Sequence, residues 1–429
     1  MKSKSLLPIA AAAVLTLSST SCASRKSVAD VSSSDQAVAV RPADGQPLDE
    51  AFSFDADETT VEQFAKGNNE MAFRLFREMK GFDSKVVSPL SISYLMGMLA
   101  NGADGETRAE IIRALQCEGL TLDQINGACR ILMQKDDKDA KATVNVANYV
   151  AVNHSFQLKK PFADILRQNY GADVESLDFT KRSTLGRING WCSKQTDGMI
   201  PRFLDEVDPS AVSYVLNAIY FNGTWSKPFE KSDTHSEAFH GYTRDRKMTD
   251  MMHQESKFDY CETENYSAVN LPYTQSGYGM TILLPKEGKS VDDVMGQLNA
   301  EALAEIPSKM ENCLVDLKMP RFTTSTTTPL NQLIAQLGAN RMFSEATADF
   351  SRLADGSFFV QQMMQKARIE VTEKGTRAAA VTGAMIATTS LSREPRRVEF
   401  HANRPFLYFI TQYNTGAILF MGSFSGNEL

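Results

Sequence analysis

The sequence predicts an α+β fold with a sizeable buried core. Its 429 residues are 42% hydrophobic and 23% charged, which places the chain outside the compositional class of disordered proteins. Apolar residues early in the folded part follow a helical period, whereas residues 215–225 and 417–422 are short apolar runs typical of buried strands. Residues 61–429 contain neither a linker nor an internal repeat, so we expect a single domain there.

Two helices are predicted in the first third of the folded part. The first carries an apolar stripe of four residues at helical spacing: Met71, Leu75, Phe76 and Met79. The second opens at residues 87–94 and is mostly apolar, so we expect it to be buried. Ser88 and Ser91 at its start are typical of residues that cap a helix N-terminus.

Two further segments are predicted to be strands. Residues 215–225 form an apolar run that contains Asn217 and ends at Trp225, which predicts a buried strand with an aromatic anchor. Residues 367–372 are also strand-like, and they lead directly into Glu373.

The most informative segment is residues 373–389, which are rich in alanine and threonine. Alternate side chains of an extended strand face opposite sides of a sheet. One side of this segment therefore carries only uncharged, mostly small residues: Thr376, Ala378, Ala380, Thr382, Ala384, Ile386 and Thr388. The only charge on the other side is Arg377, so the segment could enter a sheet with its first side buried. A surface helix is the alternative, because alanine is the best helix former.

These segments, taken in order and with their spacing, resemble those of the serpins, a family of protease inhibitors. The resemblance covers residues 61–424 and includes residues 398–406, which follow the alanine-rich segment. It implies a serpin fold with three β-sheets, about eight or nine helices and an exposed reactive-centre loop. We therefore assign residues 61–429 to a serpin domain.

The resemblance also implies roles for individual residues. The hinge, the part of the loop that enters the central sheet first, corresponds to ten consecutive residues: Glu373, Lys374, Gly375, Thr376, Arg377, Ala378, Ala379, Ala380, Val381 and Thr382. The shutter, where the central sheet opens, corresponds to Ser88, Ser91, Asn217 and Gln365. Trp225 corresponds to the tryptophan of the breach, which lies under the hinge. Before cleavage we expect the hinge to lie mostly outside the sheet, so Thr376→Arg should barely change the native fold.

Two residues depart from the family pattern. Gln365 stands where the family usually has a histidine; its amide can donate and accept hydrogen bonds, but it cannot titrate near neutral pH. Arg377 stands where an acidic residue is common. We expect its side chain to face solvent, so insertion should survive the change.

The resemblance gives two positions for the reactive bond. Counting the usual loop length from Glu373 places it between Thr389 and Ser390, whereas counting back from Phe400 gives Leu391 and Ser392. We favour the first count, because the length upstream of the bond determines how far the protease is carried. Threonine suits elastase-like or subtilisin-like pockets, and leucine suits chymotrypsin-like or cathepsin-like pockets.

The function implied by the resemblance is that of an irreversible suicide-substrate inhibitor, and no cofactor is implied. A target serine or cysteine protease would form an acyl-enzyme with the loop, and insertion of the cut loop would then trap this covalent complex. Two alternatives stay open. One is a non-inhibitory serpin that acts as a chaperone, carrier or structural module; the other is an unrelated surface lipoprotein enzyme, for which the sequence offers no catalytic constellation.

Charge and cysteine usage exclude other classes of function. The net charge of -7 argues against a nucleic-acid partner, since proteins that bind nucleic acid are normally basic. Five cysteines have no paired spacing, so we interpret them as core residues rather than zinc ligands, although an oxidising compartment would allow a disulfide: Cys117, Cys129, Cys192, Cys261 and Cys313. We expect a monomer.

Residues 1–21 have the layout of a secretory signal, with two lysines before an apolar run too short to span a membrane stably. Small residues before Cys22 resemble a bacterial lipoprotein cleavage site, which would make Cys22 the lipid attachment point. Residues 22–60 would then form a flexible tether between the lipid and the domain. Ordinary signal cleavage after Ala23 is the alternative. We therefore expect an extracytoplasmic lipoprotein of the bacterial cell envelope, in the periplasm or on the outer-membrane surface.

Lipidation at Cys22 is testable by fractionation. We expect the wild-type protein in the membrane fraction, and we expect Cys22→Ala to be released or to keep its signal, because the acyl chains would have no attachment point. Immunoblots of membrane and soluble fractions measure both outcomes. A variant that matures and fractionates like the wild type would instead indicate ordinary cleavage.

Overall fold

The computed structural model describes residues 56–133, 142–242, 245–274, 276–376, 395–427 and 429. Nine α-helices are present within these ranges: α1 (Glu58–Glu78), α2 (Pro89–Gly102), α3 (Gly105–Ala114), α4 (Leu122–Met133), α5 (Lys160–Tyr170), α6 (Ser183–Gln195), α7 (Val291–Gln297), α8 (Ala300–Lys309) and α9 (Asn331–Gln336). The Asp57 carboxylate accepts a hydrogen bond from the Thr60 amide at 2.8 Å and caps the start of α1. Helical structure thus begins at Glu58, slightly before the predicted domain boundary at residue 61.

The strands run through most of the domain. They are β1 (Lys85–Val87), β2 (Ala142–Asn153), β3 (Asp173–Leu177), β4 (Ser213–Thr224), β5 (His235–His240), β6 (Arg246–Glu262), β7 (Tyr266–Pro272), β8 (Tyr278–Pro285), β9 (Glu311–Pro320), β10 (Phe322–Pro329), β11 (Gln362–Thr372), β12 (Gly375–Thr376), β13 (Arg397–His401), β14 (Phe406–Gln412) and β15 (Ile418–Phe424). The strands predicted near residues 215–225, 367–372 and 417–422 correspond to β4, β11 and β15.

The central sheet of the domain has six strands in the order β10-β11-β12-β4-β2-β3. Over most of their length β11 and β4 are direct parallel neighbours, from Gln362 beside Tyr214 to Arg368 beside Tyr220. At one end of this pair the short strand β12 lies between them and is antiparallel to both. The chain that leads into the alanine-rich segment is therefore already part of this sheet.

The other strands of the described residues form one hydrogen-bonded network of nine strands, in the order β1-β15-β14-β8-β7-β6-β9-β13 with β5 also paired to β6. The 17-residue strand β6 joins its two parts. Residues 246–260 of β6 pair with β5 and β9, whereas its last four residues pair with β7. Two of the three sheets expected from the sequence are thus continuous through β6.

Helices cover both faces of the central sheet. All fourteen residues of α2 are buried, as its apolar sequence predicts, and α2 packs against β4 and β15. On the opposite face α6 contributes Ile188 and Cys192 to a second apolar cluster with Tyr149 and Leu216 of the sheet. The sheet is therefore enclosed on both sides, and any strand that enters it must present one apolar or hydrogen-bonded face to α2.

The five cysteines within the described ranges are free and buried, as expected for core residues. Burial raises the pKa of both Cys117 and Cys192 to about 12, so these thiols are protonated at neutral pH and are poor nucleophiles. Among the helices that the structure describes, none is long and apolar enough to cross a bilayer.

Candidate functional site

The structure describes only part of the predicted functional segment. Six predicted hinge residues lie outside the described ranges: Arg377, Ala378, Ala379, Ala380, Val381 and Thr382. The same is true of both candidate reactive bonds, Thr389 with Ser390 and Leu391 with Ser392, and of Cys22. The first four hinge residues, the breach tryptophan and all four shutter residues are described.

Trp225 anchors the turn at the start of the hinge. Its indole Nε1 donates to the Thr372 carbonyl at 3.0 Å, and its backbone amide donates to the Lys374 carbonyl at 3.0 Å. The Phe229 amide donates to the Glu373 carbonyl between them at 2.8 Å. Three consecutive carbonyls of the hinge turn are thus bonded to one short segment after β4, and Trp225 is only 1% exposed.

Gly375 enters a slot that admits no side chain. Its φ is 149°, a conformation that residues with a Cβ rarely adopt. A Cβ at this position would lie 2.1 Å from the Gly223 carbonyl oxygen. Gly223 in turn faces Phe221 and Tyr273, where a Cβ would lie 2.8 Å from both rings. A glycine on each of the two neighbouring strands therefore permits the close approach of β12 to β4.

Thr376 is fully buried, which corrects one expectation from the sequence. We expected Thr376→Arg to change the native fold very little, but Thr376 is 0% exposed and its hydroxyl is 2.6 Å from the Tyr273 hydroxyl. Tyr273 stacks on Trp225 with ring centroids 4.5 Å apart, and burial raises the pKa of Tyr273 well above its usual range. The inward orientation of Thr376 agrees with the predicted alternation. Thr376→Arg would therefore disrupt the native hinge, because the charge would replace a buried hydrogen bond.

Glu373 fixes the outer side of the same turn. Its carboxylate accepts a hydrogen bond from the Thr234 hydroxyl at 3.1 Å and lies 3.7 Å from Nη1 of Arg321. Although Glu373 is only 4% exposed, it thus has both a neutral donor and a cation as partners. The side chains of Glu373 and Thr376 hold the turn at its two ends.

Gln365 lies at the centre of the predicted shutter, on β11. Its Oε1 accepts from the Ser88 amide at 2.8 Å, and its Nε2 donates to the Ser88 carbonyl at 2.9 Å and to Asn217 Oδ1 at 3.2 Å. Gln365 is 0% exposed, so all of these bonds are shielded from water. Glutamine therefore connects β11, β4 and the start of α2 without a group that titrates near neutral pH.

Asn217 extends this network across the sheet. Its Nδ2 donates to the Ser91 hydroxyl at 3.0 Å and to Asn148 Oδ1 on β2 at 2.9 Å. Ser88 also caps α2 by accepting from the Ser91 amide at 3.3 Å, so the capping and shutter interpretations of the two serines are compatible. Sequence reasoning missed Asn148, since its only signal is an amide within a strand whose pairing partner is unknown before folding.

Comparison with known proteins identifies the family to which this arrangement belongs. The family model described as "Serpin (serine protease inhibitor)" matches residues 66–426. The chain belongs to the serpin family. Human leukocyte elastase inhibitor is 32% identical to this serpin over 382 residues, which cover 85% of this chain and 100% of the relative.

Two solved structures are also similar. The native state of tengpin, a thermophilic serpin, superposes with a TM-score of 0.78 at 28% identity and covers 89% of this chain and 97% of its own. Human thyroxine-binding globulin in complex with thyroxine superposes with a TM-score of 0.77 at 25% identity, over 85% of this chain and 98% of its own. Members of the family are mostly protease inhibitors rather than enzymes.

Gln365→His tests whether glutamine keeps the shutter independent of pH. Burial lowers the pKa of a histidine, so the unfolded variant binds more protons than the folded one, and its stability falls as pH decreases through the ordinary range of imidazole. Relative to wild type, we expect the variant to lose about 1 to 2 kcal/mol of stability between about pH 7.5 and pH 5. Urea unfolding at both pH values measures the difference, and parallel profiles for the two proteins would contradict it.

The hydroxyl pair of Thr376 and Tyr273 is testable by a double-mutant cycle. Thr376→Val and Tyr273→Phe should each lower stability by roughly 1 to 3 kcal/mol, because each leaves the other hydroxyl buried without a partner. The double variant should cost less than the sum, since it leaves neither hydroxyl. Thermal unfolding of the four proteins measures the coupling. Additive effects would indicate that the two groups do not interact.

Proposed function

We propose that this serpin is an irreversible suicide inhibitor of serine or cysteine proteases. The observation that carries the proposal is the position of β12, through which the chain leading into the loop enters the central sheet between β4 and β11. Serpin loop insertion is a recognised case of strand addition to a sheet. In this chain Gly375 and Thr376 already occupy the first two positions of such a strand between β4 and β11. Gly375 packs closely against Gly223, and the Thr376 hydroxyl is hydrogen-bonded to Tyr273.

The register of β12 supports further insertion along the same path. Thr376 is paired with Val371 of β11 and with Gly223 of β4. If the chain continues in this register, each following residue meets the next pair along both strands, and Thr382 reaches the level of Gln365 and Asn217. Those two residues are direct neighbours in the sheet, so β4 and β11 have to separate at this level.

The residues at that level are suited to an exchange of hydrogen bonds. Separation of β4 and β11 breaks the 3.2 Å bond between Gln365 and Asn217, both of which are fully buried. A threonine hydroxyl can donate and accept, so Thr382 could take both freed partners and avoid the cost of unsatisfied buried groups. The alternation that begins at Thr376 gives Thr382 the required inward orientation.

Strand addition also favours the inserted state energetically. Residues 362–368 of β11 and 214–220 of β4 form a parallel ladder in the uncut protein. A strand inserted in the direction of β12 would replace this ladder with two antiparallel ladders, and antiparallel pairing is slightly more stable per residue than parallel pairing. Cleavage of the loop would permit this change, and an acylated protease attached to the new end would be carried along. The protease would be stretched by this movement, and its catalytic groups would lose the alignment with the acyl bond that deacylation needs.

A carrier function is the second candidate. A cleft of about 460 Å³ lies between α1, α8 and β14, and its walls combine apolar residues such as Leu303 and Ile306 with Lys66 and Tyr413. Human thyroxine-binding globulin, a structural relative of this chain, was solved with thyroxine bound. A carrier would not need to trap a protease, so a covalent adduct distinguishes the two functions.

Trapping is testable with a matched pair of loop variants. After a panel of serine and cysteine proteases has identified one that forms an adduct stable in denaturing gels, we would compare Ala380→Arg with Ala379→Arg. The alternation places Ala380 on the inward side and Ala379 on the outward side, so only the first variant must bury an unpaired charge. Each ~1.4 kcal/mol added to the insertion barrier slows insertion about tenfold, which lets deacylation win.

We expect Ala380→Arg to act mainly as a substrate, with roughly tenfold or more inhibitor consumed per protease trapped, and Ala379→Arg to remain close to wild type. Equal effects of the two variants would contradict insertion in this register. Absence of an adduct with every protease would favour the carrier.

Mass spectrometry of the released C-terminal fragment locates the reactive bond: a start at Ser390 supports the proposed Thr389 bond, and a start at Ser392 supports Leu391.

We also propose that the inhibitor acts as a monomer outside the cytoplasm, attached through Cys22 to the bacterial cell envelope. The signal-like residues 1–21 and the polar residues that follow Cys22 support this location. A tether of this composition would let the domain reach proteases near the membrane surface.

A further inference from the structure

A second cleft lies at the C-terminal end of α1, between residues 79–84, the start of β1 and α7. Its volume is about 530 Å³, which is within the range of clefts that hold small ligands. In the described part of the chain it shares no lining residue with the cleft between α1, α8 and β14. It is also separate from the hinge and the shutter, so neither of those sites accounts for it.

Three cationic side chains line this cleft, and within the described ranges none of them forms an ion pair with a carboxylate. The Arg77 guanidinium donates to the Leu298 carbonyl. Lys80 Nζ donates to the Arg77 carbonyl. Lys85 Nζ donates to the Met79 carbonyl. An ammonium or a guanidinium has several donors, so each cation can also bind a ligand in the cleft.

The acidic groups around the cleft do not neutralise these cations. Asp292 is the one carboxylate among its described lining residues, and Glu78 lies outside that lining. Asp83 accepts a hydrogen bond from Asn427, and Asp293 caps the start of α7. The C-terminal end of α1 adds about half a negative charge. The lining of the cleft therefore keeps an excess of positive charge.

Lys85 is half-buried in the wall of the cleft. Its ammonium lies 5.0 Å from the centroid of the Phe76 ring. Burial lowers the pKa of Lys85, and the neighbouring charge of Lys80 lowers it further, whereas the charge of Asp292 opposes both effects. An added anion would stabilise the charged form of a lysine in this environment.

Apolar side chains form the rest of the cleft. Phe76 and Met295 are only 3% and 5% exposed, whereas Phe82 is 63% exposed. No other large apolar side chain in the described ranges is as exposed as Phe82. Gly81, with a φ of 109°, forms the turn before Phe82. The Phe82 ring packs edge-on against Tyr242, with ring centroids 5.4 Å apart. The cleft thus combines a buried apolar wall with an exposed aromatic rim.

Helix capping accounts for only part of this arrangement. Lys80 and Lys85 stabilise α1 by donating to carbonyls at its end, as basic side chains commonly do at a helix C-terminus. Capping requires neither an exposed phenylalanine nor a cleft between these cations and α7. A ligand with a negative head and an apolar chain would use both the cations and the apolar side chains.

We propose that this cleft binds a free single-chain amphiphile with an anionic head group, of which a fatty-acid carboxylate is the simplest example. The head group accepts hydrogen bonds from Lys80 and Lys85. The apolar chain lies along Phe76 and Met295, and Phe82 covers it. Burial of the chain contributes affinity in proportion to the apolar area removed from water, and the cations select the sign of the head group. This site goes beyond protease trapping and does not depend on it.

Calorimetric titration of the purified protein with decanoate tests the site. Decyltrimethylammonium has a chain of the same length and the opposite charge, so we expect it to bind at least about tenfold more weakly than decanoate. Raising the salt concentration should weaken the binding of decanoate, because salt screens the cations. Equal affinity for the two probes would overturn the proposal. Tighter binding of a soluble two-chain lipid, dihexanoylphosphatidylglycerol, would also overturn it and would indicate a membrane lipid instead.

Four variants locate the bound decanoate. Lys80→Gln and Lys85→Gln should each weaken binding roughly tenfold, because each removes a charged contact. Phe82→Ser should also weaken binding but leave its salt dependence unchanged, since the cations remain. Lys66→Gln changes a lysine of the other cleft and should bind decanoate like the wild type.

The opposite pattern would overturn the assignment: decanoate would then occupy the cleft between α1, α8 and β14 if Lys66→Gln lost binding while the other variants kept it. Lys80 and Phe82 are exposed, so their variants remain informative even if Lys85→Gln disturbs the end of α1. Thermal unfolding of each variant checks that it is folded. Because the titrations need no protease, their outcome is independent of whether the protein traps one.

Discussion

The central constraint in this structure is the position of two residues between β4 and β11. Gly375 and Thr376 occupy the end of a seam that is closed along the rest of its length by parallel pairing. Contacts of three kinds hold them there: backbone hydrogen bonds to the Trp225 segment, a buried hydroxyl pair, and the carboxylate of Glu373 at the turn. The sheet is therefore neither fully closed nor opened by a complete additional strand.

Beyond Gly375 and Thr376, the seam between β4 and β11 is joined by hydrogen bonds of buried side-chain amides as well as by apolar packing. Gln365 and Asn217 satisfy each other and the start of α2, and Asn148 continues the network to the next strand. Such a network is stable while every polar group has a partner, and it loses stability when a buried group is left without one. Separation of β4 and β11 is therefore opposed most strongly at the level of Gln365 and Asn217. Because a glutamine occupies the centre, that resistance does not depend on an imidazole charge.

The ends of the loop are held by different physical means. On the N-terminal side, buried neutral hydrogen bonds and aromatic stacking fix the hinge, and these contacts are insensitive to pH and salt. On the C-terminal side, β13 lies at a sheet edge and carries exposed or half-exposed charges, including Arg397 and His401. Interactions between exposed charges are weakened by screening, so the two anchors should respond differently to the same solution.

The sequence by itself predicted two helices, three strands and the alternation that makes residue 376 face inward, because periodicity and composition act over a few residues. The serpin fold came from the resemblance of these segments, in their order and spacing, to those of the family. Only the tertiary structure decided that Thr376 is already buried, since this depends on Gly223 and Tyr273, which belong to other segments and leave no local signal at the hinge. The same holds for Asn148 in the shutter. Strand register sets these neighbours, and register is fixed by packing of the whole sheet rather than by any one segment.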